Sequence, residues 1–493
     1  MTVVPSRWSS RGARLMGRLS SKLESSGDRM EAMGRREFLL SSGAFVSATV
    51  FGMIPASGLR LKVGIVSDTH IQDEASARHF EKALRYFRDC GVDAVMHVGD
   101  ISDWGLVSAW RYAAEAWARV FPGDRMPDGR KVEKLFTTGN HDFEGIKYWD
   151  QKEEMLANGY SEAELLVANG IERQWERFFG EAFEPVTRKR VKGYDFLTTH
   201  WNHRGDIVEW MAAHGGELDK TRPFFFFQHV NPDHTITAGC SGDRGVARKA
   251  FDGVPNAVVI GGHTHLSLTD GHQIWQGGFT AVGAASMSWS ELPFGYENAR
   301  QLGAPKGFAE EMPPLPCRFF QTVKQGMVMS VYDDRIVFEN RDFTHDCELD
   351  APWVVPLPAA KSRPYAFDAH AASMAVPSFP DGAAVAARTV VGANRKGEMS
   401  VQMVLDFPSA VKGGVRAYDY EVRVEPERGT GDVVCRVVSP TYNCGFAHEC
   451  QAVRAVFSVR KLPHGVPYRI AVYPRNCFGI TGAPIRSEIR KST

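Results

Sequence analysis

Five short polar clusters stand where hydrophobic runs end: Asp68-Thr69-His70, Gly99-Asp100, Gly139-Asn140-His141-Asp142, Gln228-His229-Val230 and Gly262-His263-Thr264-His265. Their seven candidate donors are Asp68, His70, Asp100, Asn140, His229, His263 and His265, enough for two metal ions sharing one carboxylate. Carboxylates mixed with neutral imidazoles suit Mn, Fe, Zn or Co better than Mg, which prefers oxygen alone. In extended backbone, residues two apart face the same way. Asp68 with His70, and His263 with His265, are therefore expected to point inward while Thr69 and Thr264 turn away. Gly99, Gly139, Gly261 and Gly262 beside them allow tight turns and close backbone approach. Any one fragment alone is commonplace, since an Asp-x-His or a lone histidine after a strand usually serves the core or the surface. Five in one chain, each after a β-run, make chance a poor explanation.

Such donors need a frame that brings the ends of several strands together. From Leu61 to about Phe343 strand-like runs alternate with helical stretches, the mark of an α/β domain. Expected strands are Leu61–Val66, Ala94–Val98, Lys134–Thr137, Tyr194–Thr199, Phe224–Phe227 and Ala257–Ile260. Apolar residues three or four apart predict helices over Ala75–Cys90, Val107–Val120 and Ile207–His214. Residues 144–190 form an aromatic, charged insertion expected to be helical, with Trp149, Tyr160, Trp175, Phe178 and Phe179. Its aromatics either wall a substrate pocket or pack their own helices, the safer reading at any one position. Gly326–Phe338 reads as a closing hairpin with Asp333-Asp334 at the turn. In open α/β sheets, sites lie at the carboxyl ends of strands, where all five clusters fall.

The series resembles the calcineurin-like metallophosphoesterase superfamily over nearly the whole of residues 61–345. That family's pattern is Asp-x-His, Gly-Asp, Gly-Asn-His-(Asp/Glu), a lone His and Gly-His-x-His. The resemblance implies an α/β fold in four layers, a two-sheet β-sandwich flanked by helices, with a dinuclear metal centre at one edge. It implies one ion on Asp68, His70, Asp100 and His265, and a second on Asp100, Asn140, His229 and His263. Hydroxide held between two such ions would attack phosphorus in line. His141 would stabilise the transition state or donate a proton to the leaving group, and Asp103 would orient it. A solvated loop acid is the competing reading for Asp103. Two departures narrow the family. Trp104 stands where protein Ser/Thr phosphatases carry a phosphate-gripping arginine, and Asp103 stands where purple acid phosphatases carry a tyrosine ligand. Further expectations are His203 or Arg204 as a phosphate grip or as structural residues, Ser286–Ser290 as a rim, and His97 as core.

The remainder of the chain frames this domain. Gly34-Arg35-Arg36-Glu37-Phe38-Leu39-Leu40, a diluted apolar stretch to Ile54 and Pro55-Ala56-Ser57-Gly58 resemble a twin-arginine export signal. The 17 residues from Phe38 to Ile54 are a poor membrane anchor. Such a signal implies a leader removed after transport and a periplasmic or extracellular location, and Met33, two residues before Arg35, is an alternative start. Residues 351–375, rich in Pro and Ala, read as a linker. Six short β-runs follow within residues 384–472, which suit a small all-β sandwich resembling the closing half of a fibronectin type III domain. The expected division is therefore 1–58 extension and signal, 59–345 catalytic domain, 346–375 linker and 376–493 sandwich. Of eight cysteines, Cys444 and Cys450 are the nearest pair in the sandwich, where an exported location would permit a disulfide.

Lys+Arg and Asp+Glu are both 58, so no global field favours nucleic acid. The expected partner is a small phosphate-ester substrate, with the sandwich docking to a cell surface or glycan. Two other functions fit the same residues: a surface-binding protein with a vestigial catalytic domain, and a metal-dependent hydrolase of non-phosphate esters.

Overall fold

Short runs of Val, Ile, Leu and Met that are apolar on both faces form the centre of the molecule, as expected for parallel strands covered on each side. The structure, a computed structural model, describes residues 58–143, 152–161, 170–236, 242–290, 323–393, 398–427, 431–439, 442–443, 445 and 452–491. The export segment, Trp149 and the Cys444/Cys450 pair lie outside the described residues.

Strands β1 (Leu61–Val66), β2 (Ala94–Val98) and β3 (Glu133–Thr137) pair in parallel, joined by α1 (Glu74–Asp89) and α2 (Val107–Val120). Helix α1 starts at a reciprocal cap: Asp73 Oδ1 accepts from Ser76 N (2.8 Å) and Ser76 Oγ accepts from Asp73 N (3.0 Å). Its inward face carries Ala77, Phe80, Ala83, Leu84 and Phe87, all buried. Two helices follow, α3 (Lys152–Ala157) and α4 (Ile171–Phe179), and then β4 (Val186–Val191) and β5 (Tyr194–Thr199). The insertion is thus helical only in part, because Val186–Val191 makes a hairpin with β5. Trp175 and Phe179 lie against Trp110, at 6.0 and 5.7 Å between rings, so these aromatics serve the core.

The second sheet continues with α5 (Asp206–His214), β6 (Phe224–Phe227), α6 (Val246–Phe251), β7 (Ala257–Gly261), β8 (Ile274–Gln276) and β9 (Thr280–Gly283), in the order β4-β5-β6-β7-β9-β8. β10 (Gln325–Val331) and β11 (Arg335–Asp342) form the expected hairpin and return to the first sheet beside β1. The four consecutive phenylalanines of β6 show how the layers form. Phe225 and Phe227 enter the core between the sheets with Ile65, Met96 and Met329, while Phe224 and Phe226 face the helices with Ile207 and Phe251. Each buried phenylalanine contributes about 1.5–3 kcal/mol by leaving water. With α1, α2 and α4 covering the first sheet, the result is the four-layer α/β architecture.

The expected linker is structured. β12 (Cys347-Glu348) and β13 (Trp353–Pro356) both pair with β11, and α7 (Phe367–Ser373) follows. Trp353 and Val355 alternate inward onto the core between the sheets, so burial binds a segment whose Pro/Ala composition suggested a tether. All six expected runs beyond it are strands: β14 (Ala386–Ala393), β15 (Met399–Pro408), β16 (Asp419–Pro426), β17 (Asp432–Val438), β18 (Ala452–Ser458) and β19 (Pro467–Arg475). With the two-residue β20 (Ile485-Arg486) and β21 (Arg490-Lys491) they form two antiparallel sheets around Leu405, Phe407, Tyr420 and Val472. Among the described residues no helix is long and apolar enough to cross a membrane, and Cys90, Cys347, Cys435 and Cys477 are free thiols.

Candidate metal centre

The clusters emerge at one edge because their strands run in parallel. Asp68 follows β1, Asp100 follows β2 and Asn140 follows β3, while His229 follows β6 and His263 with His265 follow β7. Neither the Asp-x-His nor the His-x-His triplet is extended. Asp68, His70, Asp100, His263 and His265 have φ of +52°, +42°, +50°, +71° and +53°. Left-handed backbone is costly for residues with a Cβ, about 1–3 kcal/mol each, and clusters at functional sites. The turns curl each side chain back over the strand ends, which alternation alone would not do. Gly139 lies so near Asp100 that a Cβ there would overlap Asp100 Oδ1.

Donor atoms of Asp68, His70 and His265 lie within 4.8 Å of one another, as do those of Asp100, His229 and His263, and those of His70, Asp100 and His141. His70 Nε2 is 3.1 Å from His265 Nε2, His265 Nε2 is 3.0 Å from Asp68 Oδ1, and His229 Nε2 is 3.1 Å from Asp100 Oδ2. Second contacts fix which nitrogen carries hydrogen. His70 Nδ1 faces Asp103 Oδ1 at 2.8 Å, His229 Nδ1 faces the Val98 carbonyl at 2.8 Å, and His265 Nδ1 faces the Trp289 carbonyl at 3.2 Å. Each of these partners can only accept, so each Nδ1 donates and a neutral ring turns its Nε2 lone pair into the centre. With the rings neutral, lone pairs face lone pairs and carboxylates. Among the described residues, buried Asp68 Oδ1 and Asn140 Oδ1 have no hydrogen-bond partner. Unpaired buried acceptors are expensive, and a cation placed among them removes the cost.

Electrostatics point the same way. Burial works against charge on His229, but Asp100 and Asp68 outweigh it and raise its pKa to about 9. Burial lowers His70 and brings His263 to about 4, with His229 adding to the latter shift. Burial opposes ionisation of Asp68, yet the surrounding imidazoles hold it well below the ordinary carboxylate range. The pocket demands positive charge. These residues fit the metal ions expected from the sequence.

Comparison with known families matches residues 61–267 to the calcineurin-like phosphoesterases. This region is a calcineurin-like metallophosphoesterase domain. Comparison with curated proteins finds no match. Similar solved structures include a dimetal phosphatase from Danio rerio, 14% identical, covering 60% of this chain and 99% of that one, with a TM-score of 0.34. Another is a purple acid phosphatase from yellow lupin seeds, 12% identical, covering 60% of this chain and 53% of that one, with a TM-score of 0.33. The metallophosphoesterase domain makes the protein a hydrolase of phosphoric esters that uses metal ions.

Within the metallophosphoesterase domain, His141 and Asp103 meet. His141 Nδ1 donates to the Asp103 carbonyl (2.8 Å) and lies 3.2 Å from Asp103 Oδ1, while His141 N donates to Asp100 Oδ1 (2.9 Å). Burial opposes protonation of His141, but the Asp103 carboxylate prevails and raises it to about 9. Asp103 is therefore no solvated loop acid: it is buried, bound to both His70 and His141, and takes a further hydrogen bond from Gln72 Nε2. Asp142 received no role from the sequence, yet it accepts from Gly139 N (2.9 Å), Ser102 N (2.8 Å) and Ile101 N (3.3 Å) and so ties two ligand loops together. Burial and the nearby Asp100 push it up to about 7. The expected rim segment Ser286–Ser290 does reach the centre through its tryptophan, and a second tryptophan joins it from the loop after β5. Trp289 stacks near His70 and His265 (4.5 and 4.4 Å), and Trp201 lies 5.8 Å from both His229 and His263. Arg204 stacks on Trp201 at 3.9 Å and His203 pairs with Asp206 at 3.0 Å, which gives both residues structural partners. His97 is fully buried, 3.0 Å from Thr69 Oγ1.

Proposed function

We propose that the protein is an exported phosphoesterase whose centre takes two metal ions, one on Asp68, His70, Asp100 and His265, the other on Asp100, Asn140, His229 and His263. The observation that carries this reading is the pair of donor triads flanking Asp100 beside the unpaired Asn140 oxygen, within a metallophosphoesterase domain. Metal ions held there would supply water of lowered pKa, towards about 7, and positive charge for phosphoryl oxygens. The chain's own residues do the rest. Asp103 holds the His141 ring by its Nδ1, which leaves Nε2 to carry a proton to the departing oxygen. Asp103 also orients His70, so one carboxylate couples the proton donor to a ligand of the first ion. Substrates are phosphomonoesters or phosphodiesters of small molecules. Support for export is the Arg35-Arg36 pattern with its dilute apolar run.

The test is hydrolysis of mono- and bis-nitrophenyl phosphate by metal-loaded protein, with metal counted per chain. Both Asn140→Ala and His141→Ala should lower kcat/KM by about 10²–10⁴-fold. Near-equal turnover by parent and variants would remove the enzymatic reading. Indifference to vanadate and inorganic phosphate would favour a non-phosphate ester instead.

A further inference from the structure

The two histidines of Gly262-His263-Thr264-His265 run directly into a segment, 267–272, that is held from the C-terminal sandwich. Gln325 is the junction. It opens β10 and is fully buried, where an amide must satisfy both ends. Its Nε2 donates to the Asn443 carbonyl (2.7 Å) and to Ser267 Oγ (3.0 Å), and its Oε1 accepts from Leu268 N (2.9 Å). Its backbone N–H donates to the Ser286 carbonyl (2.8 Å), and the Ser286 hydroxyl donates to the Asp68 carbonyl (3.1 Å). The Gln325 side chain thus joins the sandwich to the segment after His265, and its backbone continues the path through Ser286 to Asp68.

Three further contacts grip the same segment. The Thr269 hydroxyl donates to the Tyr442 carbonyl, the Tyr418 hydroxyl donates to Asp270 Oδ2 (2.9 Å), and Gly271 N–H donates to Cys477 Sγ (3.3 Å). Asp270, His272 and Cys477 are close enough to hold an ion. Protein groups already engage them, however: Asp270 Oδ1 accepts from His272 N (2.9 Å) and faces His272 Nδ1 (2.8 Å), Oδ2 takes Tyr418, and the sulfur takes Gly271. The cluster is a clamp.

We propose that the C-terminal sandwich is a positioning part of the metal centre. Through Tyr418, Tyr442, Asn443 and Cys477 it fixes residues 267–272, and with Gln325 it sets how tightly His263, His265 and Asp68 hold their ions. The proposal rests on the dinuclear reading above. It differs from a spacer role in one measurable respect: changes far from any ligand must alter metal affinity.

The experiment strips the full-length protein with chelator and titrates it with Co²⁺, following the visible absorption of the bound ion. Gln325→Met, which keeps length but loses the hydrogen bonds, should weaken Co²⁺ binding by about tenfold or more, and Tyr418→Phe by about threefold or more. Arg454→Ala, which breaks an exposed pair with Asp406 on the sandwich surface, should leave affinity unchanged. In both weakened variants kcat/KM at limiting metal should fall in parallel and recover at saturating metal. Parent-like Co²⁺ affinity in Gln325→Met and Tyr418→Phe, with only a lower thermal midpoint, would overturn the proposal. If Gln325→Met does not fold, Tyr418→Phe decides, since it deletes one hydroxyl. A third tightly bound ion per chain would also overturn it by turning the clamp into a metal site. A parent that binds two Co²⁺ ions yet leaves nitrophenyl phosphates intact would sink the phosphoesterase reading while the clamp stands.

Discussion

Among the described residues, a cluster of buried charge in the sandwich and another at the strand ends of the catalytic domain are built on opposite terms. In the sandwich, β16 presents Asp419 and Glu421 on one face, directly opposite Arg475 of β19 and Arg436 of β17 in the strand register. Arg475 grips Asp419 through two bonds of 2.6 Å, and Arg436 reaches Glu421 Oε2 at 2.6 and 2.9 Å while Arg423 takes Oε1. Every carboxylate there meets a guanidinium supplied by the neighbouring strand. At the strand ends of the metallophosphoesterase domain, Asp68 and Asp100 have, among the described residues, imidazoles as their charged partners and no guanidinium, beside hydrogen bonds from Ser67 Oγ, His263 N and His141 N. The first cluster is complete within the sequence. On the proposed metal-binding reading the second is complete only when cations come from outside, and this would separate a structural charge network from a binding one.

The sharpest way to break the comparison is to take the external cations away. Chelation should abolish ester hydrolysis, with recovery on adding Mn, Co or Zn. Because ions bound to the folded state alone stabilise it, each should add about 4 kcal/mol at a thousandfold excess over Kd. Denaturant unfolding of stripped and reloaded protein measures the difference. Unchanged activity and an unchanged midpoint would mean that the acceptors at the strand ends are satisfied without metal.

The converse experiment removes an internal cation. Arg475→Met leaves Asp419 buried without its partner and should cost about 3–5 kcal/mol, read from denaturant unfolding. Replacing both partners together, Arg475→Met with Asp419→Leu, should restore most of that loss, since an apolar pair has no charge to desolvate. A double variant as unstable as the single would show that more than charge compensation resides in the pair.

What the sequence disclosed follows from the same distinction. Metal donors are legible because few residue types can serve, and because each must stand at a strand end marked by a hydrophobic run. Asp68, His70, Asp100, Asn140, His229, His263 and His265 could be named for that reason, and the structure gathers them at one edge. The left-handed backbone of Asp68, His70, Asp100, His263 and His265 was not legible, since nothing in Asp or His at these positions announces a positive φ. Gln325 was invisible for another reason. A lone glutamine at the head of an apolar strand looks like a solvated end, and its partners Asn443, Ser267 and Leu268, which make it a buried junction, are distant in sequence. The supposed linker misled because four residues with alternate burial, Trp353–Pro356, are too few to outweigh surrounding proline and alanine. The Asp419–Arg475 and Glu421–Arg436 pairs depend on register between strands distant in sequence, which composition does not encode.

A gentler probe of the internally compensated cluster is pH. Burial would raise the Glu421 pKa, but the Arg436 and Arg423 hydrogen bonds outweigh it and hold the group below its ordinary 4.5. A carboxylate with a depressed folded pKa adds stability above its unfolded value, and that contribution disappears as pH falls through the folded value. The sandwich should therefore lose stability below pH 4.5, and Glu421→Gln should flatten that acid limb while starting from a lower plateau at neutral pH. Thermal midpoints of the chelated protein across the acid range isolate the effect, because metal release from the strand ends is then already complete. An acid limb equally steep in parent and variant would move the acid sensitivity from the sandwich to other carboxylates, leaving the arginine-compensated cluster indifferent to pH.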